Sequence, residues 1–105
     1  MRRGDVYRLT PPRASGHEQQ GQRYGVVLQA DAFLPRSVVI VAPTSQSAGS
    51  ASFRPEIEVH GETTKVLVEQ VVTVDATRLG DLVGHVAPQE QWGIDEALNL
   101  VLGLR

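Results

Sequence analysis

Apolar residues in this chain come in short, β-branched runs separated by polar, glycine- or proline-containing stretches, which is the rhythm of a protein built from strands. Asp5-Val6-Tyr7-Arg8-Leu9 alternates around a β-prone centre, and Thr10-Pro11-Pro12 stops it because proline brings no N–H to a ladder. Residues 13–22, RASGHEQQGQ, hold two glycines and no buried-type periodicity, so they read as a mobile loop. Arg23-Tyr24-Gly25-Val26-Val27-Leu28-Gln29 and Ser37-Val38-Val39-Ile40-Val41-Ala42 turn apolar and β-branched, as largely buried strands do, and Pro43 is expected to end the second. From Thr44 to Ser52 the composition falls to small and polar residues, which predicts a surface loop.

Glu56-Ile57-Glu58-Val59 alternates cleanly, and His60-Gly61 can turn the chain back toward Val66-Leu67-Val68, with a further strand expected over Glu69–Val74. Asp75 to Gly80 reads as one helical turn, Asp75 capping and Gly80 stopping it, and a short strand around Val83–Val86 completes the sheet. Pro88 then opens a helix in which Ile94, Ala97, Leu98, Val101 and Leu102 share one face and Gly103 ends it. Gly93 inside it costs about 1 kcal/mol relative to alanine, which tertiary packing has to offset. Many short strands followed by one helix predict a mainly β fold, a small half-open barrel with a C-terminal α-helix.

At 105 residues the chain has room for one modest core, so residues 1–105 are expected to form a single domain that can gain stability from dimerisation. It has no cysteine, which excludes disulfides, thiolate metal sites and cysteine nucleophiles and suits a cytoplasmic setting. No apolar run behind Arg2-Arg3, or later, has the length of an export signal or a membrane span. The formal charge of −2 hides an asymmetry. Six arginines (Arg2, Arg3, Arg8, Arg13, Arg23, Arg36) face three acids up to residue 36, whereas four basic residues face nine acids after it, so a polyanion-binding surface belongs to the N-terminal third.

Six segments, in order, resemble the MazF/PemK toxin ribonucleases over nearly the whole chain. Arg3-Gly4-Asp5-Val6-Tyr7 is similar to the family's opening R-G-[DE]-[VI]-[YW], and Gly16-His17-Glu18-Gln19-Gln20-Gly21-Gln22-Arg23 to its G-S-E-Q-x-x-x-R loop. Val26-Val27-Leu28-Gln29 and the strand running to Ala42-Pro43-Thr44-Ser45-Gln46 follow, then Val68-Glu69-Gln70-Val71 and Asp75-Ala76-Thr77-Arg78-Leu79-Gly80, which resemble [LA]-[ED]-Q-[IV] and D-x-x-R-L. Tyr24 stands where the family usually has proline, and His17 where it has serine.

The resemblance implies an SH3-like barrel of the CcdB/PemK type, a homodimer, and sequence-specific cleavage of single-stranded RNA without cofactor or metal. It also implies a cognate antitoxin whose acidic C-terminal segment covers the RNA groove. It carries over Arg23 and Thr44 as catalytic residues. Chemistry suits them unequally: the RNA 2′-hydroxyl can attack its own phosphate, Arg23 offers two phosphate oxygens a planar cation, and Thr44 can exchange one hydrogen bond with them. An arginine is a poor general base, its pKa lying above about 12, so Glu18 and His17 are the candidates for proton transfer. Gln19, Gln20, Gln29 and Gln46 are candidates for reading base edges, Tyr24 for stacking, Arg13 for backbone contact, Ser45 for RNA binding, and Glu69 and Gln70 for the groove itself.

Without the resemblance, Arg23 would read as a solvated or ion-paired residue and Thr44 as a turn cap. His60 and His85 read as a turn and a late-strand residue, with no metal-site spacing. Two other functions compete: a toxin of the same fold that poisons DNA gyrase, as CcdB does, which needs no Arg23/Thr44 pair; and a noncatalytic SH3-like module, which five scattered aromatics fit poorly.

Overall fold

The structure, a computed structural model, describes residues 1–10 and 23–105. The loop expected at 13–22, and with it Arg13, His17, Glu18, Gln19 and Gln20, lies outside the described residues. The elements run β1 (Asp5–Leu9), β2 (Tyr24–Val27), β3 (Val38–Ser45), β4 (Glu56–Val59), β5 (Glu62–Val66), β6 (Val72–Asp75), β7 (Leu79–His85) and α1 (Pro88–Leu102), with single 3-10 turns at Asp31–Phe33, Val68–Gln70 and Ala76–Arg78. All strand pairs are antiparallel, in the order β4-β5-β3-β2-β1-β7, with β6 also on β3.

The sheet curls because β3 changes partners along its length. Val38–Val41 pair with β6, whereas Thr44 and Ser45 pair with β5. Pro43 sits at the handover. It faces Gly25 of β2 as a Cα partner, and its carbonyl accepts the amide of Leu67 at 2.8 Å on the other edge. That edge is the one on which a ladder N–H would otherwise be required, so the proline is placed where the sheet divides and its missing donor costs little. The expectation that Pro43 ends the strand is therefore corrected: β3 continues through Thr44 to Ser45.

Other boundaries move for related reasons. The strand expected over Glu69–Val74 begins only at Val72, because Val68–Gln70 turn once as the chain passes from β5 to β6. The helical turn after Asp75 is three residues long, capped by Asp75 Oδ1, which accepts the Thr77 amide at 2.9 Å, and Gly80 lies in β7 and stops nothing. β7 is correspondingly longer than expected, an irregular edge strand with two register shifts against β1.

The apolar runs are explained by two cores on opposite faces of the sheet. Val26, Leu28, Ala42, Ile57, Val59, Val66 and Val68 pack with Ile94 and Ala97 of α1. Val27, Val39, Val41 and Val74 form the second core on the other side. Adjacent residues of β2 thus enter different cores, which is why the strand shows no alternation. His60 (φ 53°) and Gly61 (φ 79°) make the β4–β5 turn with both central residues left-handed, the twist a two-residue hairpin favours. Helix α1 is docked at its first turn by Glu90, whose carboxylate accepts the amides of Ala87 (2.8 Å) and of Glu58 in β4 (2.9 Å). Gly103 closes the helix at φ 69°, and the Leu104 amide returns to the Asn99 carbonyl at 2.9 Å.

Candidate functional site

One end of the curled sheet gathers the residues singled out by sequence. There β1 ends, β2 begins and β3 ends, so Leu9, Arg23, Tyr24, Thr44 and Ser45 come together at backbone level. The Leu9 amide donates to the Arg23 carbonyl (3.0 Å), and the Tyr24 amide donates to Thr44 Oγ1 (3.2 Å). Thr44 is thus tied by its side chain to the residue beside Arg23, across twenty positions of sequence. It is also only 1% exposed, because β3 continues through it and leaves it inside rather than on a loop. Its hydroxyl oxygen accepts from Tyr24, while the O–H remains able to donate.

Three arginines meet this end of the sheet at the level of the backbone. Arg8 is the register partner of Tyr24, Arg23 immediately precedes β2, and Arg78 anchors the end of β1. Arg78 grips Thr10 twice: its carbonyl accepts the Thr10 amide (3.0 Å) and its Nε donates to the Thr10 carbonyl (2.9 Å). Sequence reading missed this role. The D-x-x-R-L match marked Arg78 without saying what it holds, which is Thr10, just past the end of β1.

The segment from Ser45 to Arg54 borders Thr44 and is pinned at several points. Ser45 Oγ accepts the Ala48 amide (3.1 Å), and Gln46 Nε2 donates to Glu62 Oε1 (2.8 Å). Arg54 donates through Nε (2.9 Å) and Nη2 (2.7 Å) to Glu69 Oε2, and through Nη1 to the Gly49 carbonyl (3.0 Å), with Phe53 under its guanidinium at 5.7 Å. The hydrogen bond from Arg54 holds the Glu69 carboxyl below its ordinary pKa, burial opposing it. Glu69 Oε1 is buried with no hydrogen-bond partner.

The remaining candidates divide. Tyr24 lies on β2, Ser45 at the end of β3 with Gln46 just after it, and Glu69 and Gln70 in the turn after β5. Gln29 does not join them. It lies beyond the far end of β2, where Nε2 donates to the Phe33 carbonyl (2.7 Å) and Oε1 accepts the Ile40 amide (3.1 Å), bracing the turn before β3. His85 pairs with the buried Asp5 through Nδ1 at 2.9 Å, also at the end of β1 away from Thr44. Among the described residues there is no group of three or more His, Asp or Glu side chains that could hold a metal ion, and no helix is long and apolar enough to cross a membrane.

A curled antiparallel half-barrel closed on one face by a C-terminal helix is the fold that this chain shares with solved MazF structures. The chain belongs to the PemK-like, MazF-like toxin family of type II toxin–antitoxin systems, whose profile matches residues 2–102. A candidate toxin of Mycobacterium tuberculosis is 43% identical over 104 residues, with 97% of each chain covered. The Staphylococcus epidermidis endoribonuclease MazF is 32% identical over 111 residues, covering 99% of this chain and 92% of its own. Among solved structures, an endoribonuclease from a mycobacterial species in complex with its cognate antitoxin superimposes with a TM-score of 0.81, covering 100% of this chain and 97% of that one. At 21% identity that last likeness speaks for the fold alone.

Proposed function

We propose that this chain is an endoribonuclease toxin that cuts single-stranded RNA at a short sequence, without a metal, through attack of the RNA 2′-hydroxyl. The products are a 2′,3′-cyclic phosphate and a 5′-hydroxyl. The observation that carries the reading is the hydrogen bond from the Tyr24 amide to Thr44 Oγ1, which holds the threonine beside the residue that follows Arg23. Arg23 stabilises the charge of the pentacoordinate transition state and Thr44 donates its remaining O–H to the same phosphate. Because Thr44 is almost fully buried, the groups covering it have to yield before a phosphate can reach it. Glu18 and His17, in the segment before Arg23, supply the base, since arginine cannot.

Three further parts belong to this reading. Residues 1–105 act as one domain in the cytoplasm, two copies associate, and a cognate antitoxin lays an acidic segment along the arginine-bearing end of the sheet, where Arg8, Arg23 and Arg78 meet. The endoribonuclease names of relatives, and the mycobacterial complex with an antitoxin, support the activity and the partner.

The test is primer extension on a long RNA incubated with purified protein in EDTA, beside Arg23→Ala. Discrete cuts whose 5′ ends accept label from polynucleotide kinase without prior dephosphorylation are expected from the wild type, and almost none from the variant. Cleavage that appears only when a divalent cation is restored would overturn the mechanism. Because no gyrase is present, cleavage of naked RNA also separates this function from gyrase poisoning.

A further inference from the structure

The Arg54–Glu69 pair is built in an uneconomical way. An arginine facing a carboxylate ordinarily pairs fork to fork, one N–H to each oxygen. Here both Nε and Nη2 converge on Glu69 Oε2, and Oε1 is left buried without a donor. A buried acceptor without a partner is costly, so the arrangement needs another interaction to favour it. That interaction is the third arm: turned this way, the guanidinium also presents Nη1 to the Gly49 carbonyl at 3.0 Å.

The three arms join two pieces of chain that border Thr44 from different sides. Glu69 lies two residues after Leu67, whose amide is bound to the carbonyl of Pro43, immediately before Thr44. Gly49 lies in the small, polar segment immediately after Thr44 and Ser45, which contributes no buried residue to either core. With no apolar anchor, that segment depends on its polar ties for a fixed shape.

We propose that Arg54 is a positioning residue for RNA cleavage, fixing the Ser45–Phe53 segment against Glu69 so that the substrate strand meets Thr44 in one register. This rests on the ribonuclease reading above. Glu69 and Gln46 are then occupied in holding the groove wall, by Arg54 and Glu62 respectively, rather than standing open to bases. Sequence selectivity depends on the shape they hold.

The experiment compares full-length wild type with Arg54→Lys and Glu69→Gln. Lysine keeps the charge but cannot bind Glu69 and Gly49 together. Kinetics are measured on a short RNA containing one mapped cut site, and cut patterns on a long RNA. In Arg54→Lys, KM is expected to rise about tenfold, the equivalent of one lost charge-assisted hydrogen bond, while kcat stays within about threefold and new cut sites appear. Without any RNA, amide exchange over residues 46–53 is expected to quicken about tenfold in both variants. Wild-type KM and cut sites in Arg54→Lys, or a loss of kcat and melting temperature with the cut pattern unchanged, would overturn the positioning role. Unchanged exchange would overturn the strut itself whatever the activity. Wild-type protein that cuts no RNA would overturn the ribonuclease reading and the positioning role together, and the exchange arm tells these failures apart.

Discussion

At the scale of single residues, the site rests on one hydrogen bond and one cation that have separate tests. Thr44→Val preserves shape in a buried position but leaves the Tyr24 amide without its acceptor and removes the O–H offered to phosphate. Single-turnover cleavage is expected to fall about 10²-fold, as when one transition-state donor is removed, and a fall of less than threefold would exclude Thr44 from the chemistry. Arg23→Lys should fall between Arg23→Ala and wild type, because charge survives and the fork does not. Glu69 gives a prediction in pH. Its folded pKa lies below the ordinary 4.5, mainly through the Arg54 hydrogen bond, so its contribution to stability is complete above that value and is lost as pH falls through the folded one. Chemical denaturation between pH 6 and 3 should therefore show a smaller acid-side loss in Glu69→Gln than in wild type; equal slopes would count against the pairing. Neither feature could be read from sequence. Arg23 and Thr44 were marked by resemblance, but the burial of Thr44 depends on a strand passing through a proline, and Arg54 meets Glu69 across fifteen positions with no spacing rule to announce it.

At the scale of elements, what was legible followed local rules and what was missed followed partner exchange. The β4–β5 hairpin, the Asp75 cap and the helix from Pro88 to the stop at Gly103 carry their signals in adjacent residues, and each forms as expected. Pro43 carried a stop signal equally clear, and it misled because the sheet divides at that residue, a fact only the paired strands contain. The first turn of α1 is where local and tertiary signals coincide. Ala87 has no side-chain acceptor to cap the helix, so Glu90 does so from within it while also holding Glu58 of β4. Glu90→Ala is expected to cost about 1–2 kcal/mol by loss of the cap, read from urea denaturation, with cleavage by the folded protein unaltered. Ile94→Ala, at a fully buried position against the larger core, should cost about 2–5 kcal/mol. If Glu90→Ala proved the more damaging of the two, the helix would be held by its first turn rather than by its apolar face.

At the scale of the whole molecule, the second core takes one face of β3 and leaves part of the other exposed. Val39 and Val41 of β3 point into it, so the alternate residues Val38 and Ile40 must point out, and they are 49% and 40% exposed. Phe33, at 58%, stands beside them around a shallow hollow of about 550 Å³ that also takes in Leu28, Arg36 and Thr73. A strand that is apolar on both faces needs both faces covered, and here one is left to solvent. The family resemblance implies a second copy, and this face is suited to receive it. Ile40→Lys places a charge on this face at a 40% exposed position, beside Leu28 of the larger core and away from the Thr44 end of the sheet, so the fold should survive, as circular dichroism would show. Sedimentation equilibrium should give a dimer for wild type and a monomer for the variant at micromolar concentration. A dimeric Ile40→Lys would move the interface elsewhere, and a monomeric wild type would remove the need for one. Cleavage by the monomeric variant then decides a further point: if the rate per chain is unchanged, each barrel holds a complete site, and if it collapses, the groove along which RNA is read runs across both copies.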